Sequence, residues 1–177
     1  MRVIDMALSK NIVAALTKQI NAEFFSSYLY LSMASQFDVM NLKGFSNWMK
    51  VQAQEEITHA MKFFGYLSDR GSKVELLSID RPKTRWKDPL EVFKGAYDHE
   101  VKVTDMINKI VTLALKEGDH TTNTFLQWFV NEQIEEEAST DGVVQKLKLI
   151  KSDSSGLFMI DQELAQRVFV PATANQK

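Results

Sequence analysis

The sequence predicts an all-α fold: a bundle of four long helices, with one long crossover between the second and third and a short fifth helix. Three observations predict it. Apolar residues recur three or four apart through most of the chain, which is the helical period. Only 7 Gly and 3 Pro punctuate 177 residues, so the elements are few and long. Gly71–Lys87 is an irregular stretch of about 17 residues, against the roughly 2–8 usual between bundle helices. A connection of that length carries the chain back along the bundle.

The first helix runs from Ser9 to about Phe37. Leu8, Ile12, Leu16, Ile20, Leu31 and Ala34 form its apolar stripe, and Ser9 is its N-cap. After a break at Asp38–Asn41, the second helix spans about Leu42 to Arg70. It turns Phe45, Trp48, Met49, Phe63, Tyr66 and Leu67 inward, and Gly71 suits the left-handed turn that ends it. The third opens on Asp88-Pro89-Leu90-Glu91: an acid at the cap, proline at the first helical position and glutamate at the third. Gly118 stops it. Asp119 caps the fourth helix, from His120 to about Lys151. Each is roughly 30 residues, about 45 Å long at 1.5 Å per residue. A short fifth helix follows at about 157–166, and 171–177 reads as a disordered tail. The chain reads as one domain, residues 1–177, with the main bundle at about 9–151.

Composition excludes whole classes of chemistry. There is no Cys, hence no disulfide framework, thiolate zinc site, iron–sulfur cluster or cysteine nucleophile. That suits a cytoplasmic protein. The 21 Lys+Arg against 23 Asp+Glu argue against a nucleic-acid partner bound by counterion release. No stretch approaches the roughly 20 apolar residues of a membrane span. The first ten residues carry Arg2 and Asp5 and lack the apolar core of a signal peptide.

The informative residues interrupt the stripes. Glu23 lies seven after Leu16 and seven before Tyr30 on the first helix. Glu56 is seven after Met49 and seven before Phe63 on the second, with His59 one turn on. Glu100 is seven after Phe93 and seven before Ile107; Glu136 is seven after Phe129 and seven before Val143. Each main helix therefore places a carboxylate on its apolar stripe near mid-length. An uncompensated buried ion costs several kcal/mol, and a domain has only about 5–15 kcal/mol of net stability. No Lys or Arg lies beside these acids on the stripes, so metal is the compensating charge. Two divalent cations neutralise four carboxylates, and a bridging Glu56 would hold both. Oxygen donors with one imidazole and no sulfur suit iron or manganese, and Glu-x-x-His on a helix is a di-iron ligand pair of carboxylate bundles. Glu55, Glu132, Glu135 and Glu137 read either as a solvated acidic face or as further ligands. Tyr30 reads either as a core aromatic or as a redox neighbour of the metals. Trp48 and Trp128 read as core; His99 and His120 as surface or satisfied histidines.

The segments Asn21–Tyr30, Gln54–His59, Tyr97–Glu100 and Phe125–Glu137, in that order and spacing, resemble ferritin of the haem-free prokaryotic type over nearly the whole chain. The resemblance implies a ferritin-like bundle with a di-iron ferroxidase centre. One iron site would be Glu23, Glu56 and His59; the other Glu100, Glu136 and the shared Glu56, with Gln133 close by. It implies that Glu55, Glu132 and Glu135 form a further, third iron site and that Tyr30 stands beside the centre. It implies oxidation of Fe(II) by dioxygen or hydrogen peroxide, storage as ferric oxo-hydroxide, and a 24-subunit homo-oligomeric cage with the fifth helix at the four-fold axes. Relatives fit less well. Bacterioferritin carries a second Glu–His pair on the fourth helix, where Gln133 and Glu136 stand here. Its haem-ligand Met aligns with Ile57, so no haem is expected. Rubrerythrin adds a cysteine-rich iron domain, and mini-ferritins lack the fifth helix. Two rivals carry other functions: a di-iron oxidase or peroxidase with an apolar pocket for another substrate, and a structural bundle that binds no metal.

Overall fold

The computed structural model describes residues 7–151 and 153–171. Most of the expected tail, residues 172–177, lies outside the described residues. Five helices follow in order: α1 Lys10–Val39, α2 Lys43–Asp69, α3 Pro89–Glu117, α4 His120–Ile150 and α5 Ser154–Leu164. There is no strand among the described residues, and no helix long and apolar enough to cross a membrane.

Local chemistry sets the boundaries. The Ser9 hydroxyl accepts from the Ile12 amide at 3.1 Å, Asp88 from the Glu91 amide at 2.8 Å, and Asp119 from the Thr122 amide at 2.9 Å. Each satisfies one orphan donor of a first turn. Gly118 ends α3 at φ 71°, a conformation a side chain resists. The last helix begins at Ser154 and ends at Leu164, a little before the expected 157–166, because Asp153 caps it through the Gly156 amide at 2.8 Å.

Helix α2 is capped from a distance. Its N-cap residue, Leu42, makes no side-chain hydrogen bond. Asp161 of α5 accepts instead from the Gly44 and Phe45 amides at 2.8 and 3.1 Å. The approach is so close that a Cβ on Gly44 would lie 1.6 Å from the Asp161 carbonyl oxygen. This contact docks α5 on α2. Asp161→Ala is expected to cost about 1–3 kcal/mol, the penalty for stranding buried donors, and urea denaturation of the variant against the parent measures it.

Two apolar clusters fill the bundle. One joins Leu29, Tyr30, Met33 and Phe37 of α1 to Phe45, Trp48 and Met49 of α2, Val92 and Phe93 of α3, and Val143, Val144 and Leu147 of α4. The other joins Leu16 and Ile20 to Phe63 and Leu67, Val103 and Ile107, and Leu126 and Phe129. The starts of α2 and α3 share the first cluster, so these helices run parallel, as the long crossover requires. Ser32 Oγ donates to the Lys83 carbonyl at 2.7 Å and Asn21 to the Ser78 carbonyl at 3.0 Å, which tether the crossover to α1. One stripe residue is corrected. Leu31 is 47% exposed, whereas Tyr30 is fully buried. Adjacent positions lie about 100° apart around a helix, and the buried arc of α1 here takes Leu29 and Tyr30 and leaves Leu31 outside.

Candidate metal centre

Between the two apolar clusters lies a polar belt, and each of the four long helices reaches it where one cluster gives way to the other. Glu23, Glu56, His59, Glu100 and Glu136 all lie there, each at most 5% exposed. Three groups of potential ligand atoms fall within 4.8 Å of one another: Glu23, Glu56 and His59; Glu56, Glu100 and Glu136; and His59, Glu132 and Glu136. Glu56 belongs to the first two. The i,i+3 spacing brings His59 Nδ1 to 3.5 Å from Glu56 Oε2.

The protonation pattern follows from burial. Desolvation, with the Glu56 charge beside it, raises the Glu23 and Glu136 carboxyls well above the usual range. The same two causes push Glu100 up to about 8. Burial would raise Glu56 as well, but the His59 hydrogen bond and charge, with the Gln52 amide, outweigh it and hold Glu56 low. His59 is the counterpart. Burial favours its neutral form, but the bond and charge of Glu56 and the neighbouring Glu23 and Glu136 raise it to about 10. Without metal, burial favours the neutral form of Glu23, Glu100 and Glu136, while Glu56 and His59 favour each other's charged forms.

Amides complete it. Gln19 Nε2 donates to Glu23 Oε1 at 2.8 Å; Gln52 Nε2 donates to Glu56 Oε1 at 2.9 Å and Glu136 Oε2 at 2.7 Å. Gln133 Nε2 is 3.3 Å from Glu100 Oε2 and 3.2 Å from Thr104 Oγ1. The Tyr30 hydroxyl donates to Glu100 Oε1. Burial and the Glu100 charge raise the phenol, which keeps it a donor. The donor set fits hard divalent cations: carboxylate oxygens with one imidazole. Glu23 Oε2 is also buried without a hydrogen-bond partner among the described residues, an orphaned acceptor that a cation would satisfy.

The remaining candidates divide. Glu132 Oε1 stands 4.0 Å from His59 Nε2. Glu55 adjoins the belt and is bound by Arg167 Nη2 at 2.5 Å. Glu135 is exposed and is not among the grouped ligands. Glu137 turns aside, accepting from Thr104 Oγ1 at 2.5 Å. His99 is half-buried and bonded to Ser26 Oγ at 2.7 Å; His120 is exposed. Trp48 is core, but Trp128 is only half-buried, set edge-on to His59 with Lys62 Nζ 3.7 Å above its ring. Sequence reasoning did not single out Gln19, Gln52 or Arg167. The two glutamines carry a readable signal, since each stands four residues before a core glutamate, in helical contact. Arg167 carries none.

A four-helix bundle with this crossover and a buried belt of carboxylates around one imidazole is a carboxylate bundle of metal-ligating geometry. The chain matches the family model described as a ferritin-like domain over residues 13–150. It is 41% identical over 160 residues to a bacterial non-heme ferritin of Bacteroides fragilis, covering 90% of this chain and 99% of that one. It is 42% identical over 155 residues to one of Campylobacter jejuni, covering 88% and 93%. Among solved structures it is similar to the open-pore ferritin of the archaeon Archaeoglobus fulgidus, at 51% identity and TM-score 0.91, covering 92% and 99%. An engineered closed form of that ferritin gives 51% and 0.92, covering 93% and 100%. The chain belongs to the ferritin family.

Proposed function

We propose that this chain is the subunit of a cytoplasmic iron-storing cage of 24 copies, and that its polar belt is a ferroxidase centre. The observation that carries the reading is the sharing of Glu56 between the two fully buried ligand groups, Glu23/Glu56/His59 and Glu56/Glu100/Glu136. A shared carboxylate holds two ions side by side. Two adjacent Fe(II) substrates each yield one electron, so dioxygen receives a pair. It takes up two protons and leaves as hydrogen peroxide, with no one-electron oxygen radical released. Hydrogen peroxide could take the place of dioxygen as the two-electron acceptor. Carboxylate oxygens favour the product, because hard anions stabilise the higher charge of Fe(III). The ferric ions then leave for mineral storage as oxo-hydroxide, with Glu55, Glu132 and Glu135 as the third site on their route and Gln133 flanking the second. Tyr30 orients Glu100.

The rival oxidase or peroxidase needs an organic-substrate pocket beside the ligands. The cavity that reaches Gln133, lined also by Thr104, Ile107, Val130, Ile134 and Glu137, holds about 290 Å³. That is at the small end for a ligand pocket. The structural rival conflicts with four glutamates buried around one imidazole and with a buried Glu23 oxygen that has no hydrogen-bond partner among the described residues, costs without a return unless a cation binds.

Aerobic Fe(II) loading with size measurement tests the proposal, which requires an assembly of several hundred kDa that retains iron. His59→Ala is expected to slow initial Fe(II) oxidation at least about tenfold and to halve tight metal binding, because Glu56, Glu100 and Glu136 remain. An unchanged rate and stoichiometry would remove His59 from the centre.

A further inference from the structure

The chain beyond α5 returns to the polar belt. Its course is fixed there: Asp161 anchors α5 on the first turn of α2, and Asn47 Nδ2 donates to the Arg167 carbonyl at 2.9 Å. From that point the Arg167 side chain lies over the Trp48 ring, 4.3 Å from its centroid. Nη2 donates to Gln52 Oε1 at 2.8 Å and to Glu55 Oε2 at 2.5 Å. Nη1 finds no hydrogen-bond partner among the described residues, so the head is held through one nitrogen and the stack. Two consequences follow. A guanidinium keeps its charge at every working pH, so Glu55 already has a cation where a metal would sit. And because the arginine occupies the Gln52 oxygen, the same amide must turn its NH₂ to Glu56 and Glu136, the acceptors it serves at 2.9 and 2.7 Å.

We propose that Arg167 is a specificity-determining residue that competes with metal for Glu55, so that the third site passes iron on instead of holding it. The inference rests on the ferroxidase reading of the belt. An ion arriving at Glu55 and Glu132 must displace the guanidinium from a carboxylate oxygen or bind beside a positive charge, and both weaken the site. The two sites built on Glu56 have no such competitor; there the arginine acts only through Gln52, as a positioning group. A chain lacking the charge at 167 would trap a third ion.

The test is calorimetric titration of the assembled protein with Zn(II), a redox-inert probe. Wild type is expected to show two tight sites per subunit and a weak third. Arg167→Gln should tighten the third at least about tenfold, the effect of removing roughly one tenfold step of charge repulsion, while the first two stay within about threefold. Arg167→Lys, which keeps the charge, should leave the third site weak. Adding Glu55→Gln to Arg167→Gln should cancel the gain. Arg167→Met, which keeps an apolar stem on Trp48, is a second neutral variant, and loss of assembly in both neutral variants overturns the proposal in favour of a structural role. An unchanged third step beside two intact tight sites overturns the role of Arg167 alone. Absence of the two tight sites in wild type overturns the ferroxidase reading beneath it.

Discussion

Glu56→Ala is expected to slow initial Fe(II) oxidation at least about a hundredfold, the upper end of what disturbing a metal's supporting residues does, while the helical fold survives. The reason is geometric. Glu56 is the member common to the two fully buried ligand groups, so its loss leaves Glu23 with His59 in one and Glu100 with Glu136 in the other. Each then has two protein ligands, and the buried carboxylate common to both is gone. Paired electron delivery needs both ions in place at once, so the rate falls further than either affinity. Survival of the fold follows from the charge pattern. Glu56 is the core carboxylate held ionised, and its charge is what raises His59. Without it His59 loses the strongest influence that raises it and moves toward the neutral form its burial favours. No buried charge is stranded, so the penalty is that of a small cavity and a lost amide contact, about 1–3 kcal/mol. Stopped-flow absorbance of the ferric product on mixing Fe(II) with oxygenated protein reads the rate, and size-exclusion chromatography reads assembly. Intact assemblies that oxidise Fe(II) at the parental rate would exclude Glu56 as a bridge.

How much of this was legible in the sequence depends on the range of the interaction. Helices were legible because burial imposes a period on one stripe, and their starts because Ser9, Asp88 and Asp119 act within one turn. The crossover was legible as a length. The four acids were legible because each breaks a local pattern. Leu31 misled because an apolar residue beside the stripe looks like one on it; only packing decides between Leu31 and Tyr30. The docking of Asp161 on Gly44 and the reach of Arg167 to Glu55 join positions more than a hundred residues apart. No periodicity encodes such pairs. A polar residue near the end of a short helix looks like any surface residue until its partner is known. Glu132 and Glu135 show the same limit. Three residues apart on α4, they look equivalent in sequence, but Glu132 stands 4.0 Å from the imidazole and Glu135 is exposed.

Metal uptake is expected to expel protons, and the metal-free protein to lose stability as pH rises from about 5 to 10. Burial raises the Glu23 and Glu136 carboxyls well above the usual range and Glu100 to about 8, and Glu56 raises His59 to about 10. Each shift favours the protonated form, so divalent cations must displace protons as they bind. Metal charge takes the place of the protons beside the same carboxylates and imidazole. The stability trend has the same origin. Glu100 titrates near 8 in the fold against 4.5 when unfolded, and His59 near 10 against 6.5. In both cases the folded state binds the extra proton. For His59 that stability is fully present below 6.5 and disappears as pH passes 10. For Glu100 it is lost between 4.5 and 8, because the unfolded chain gains by ionising while the folded one cannot. Glu100 alone contributes a decline on the order of a few kcal/mol. Zn(II) reverses the sign, because it stabilises the deprotonated belt and binds better as pH rises. Differential scanning calorimetry from pH 6 to 9, with and without Zn(II), should show midpoints that diverge with pH. Titration in buffers of different ionisation enthalpy should return the proton count. Parallel midpoints and no proton release would mean that the four glutamates are already ionised without metal, and the case for a cation as their compensating charge would fall with them.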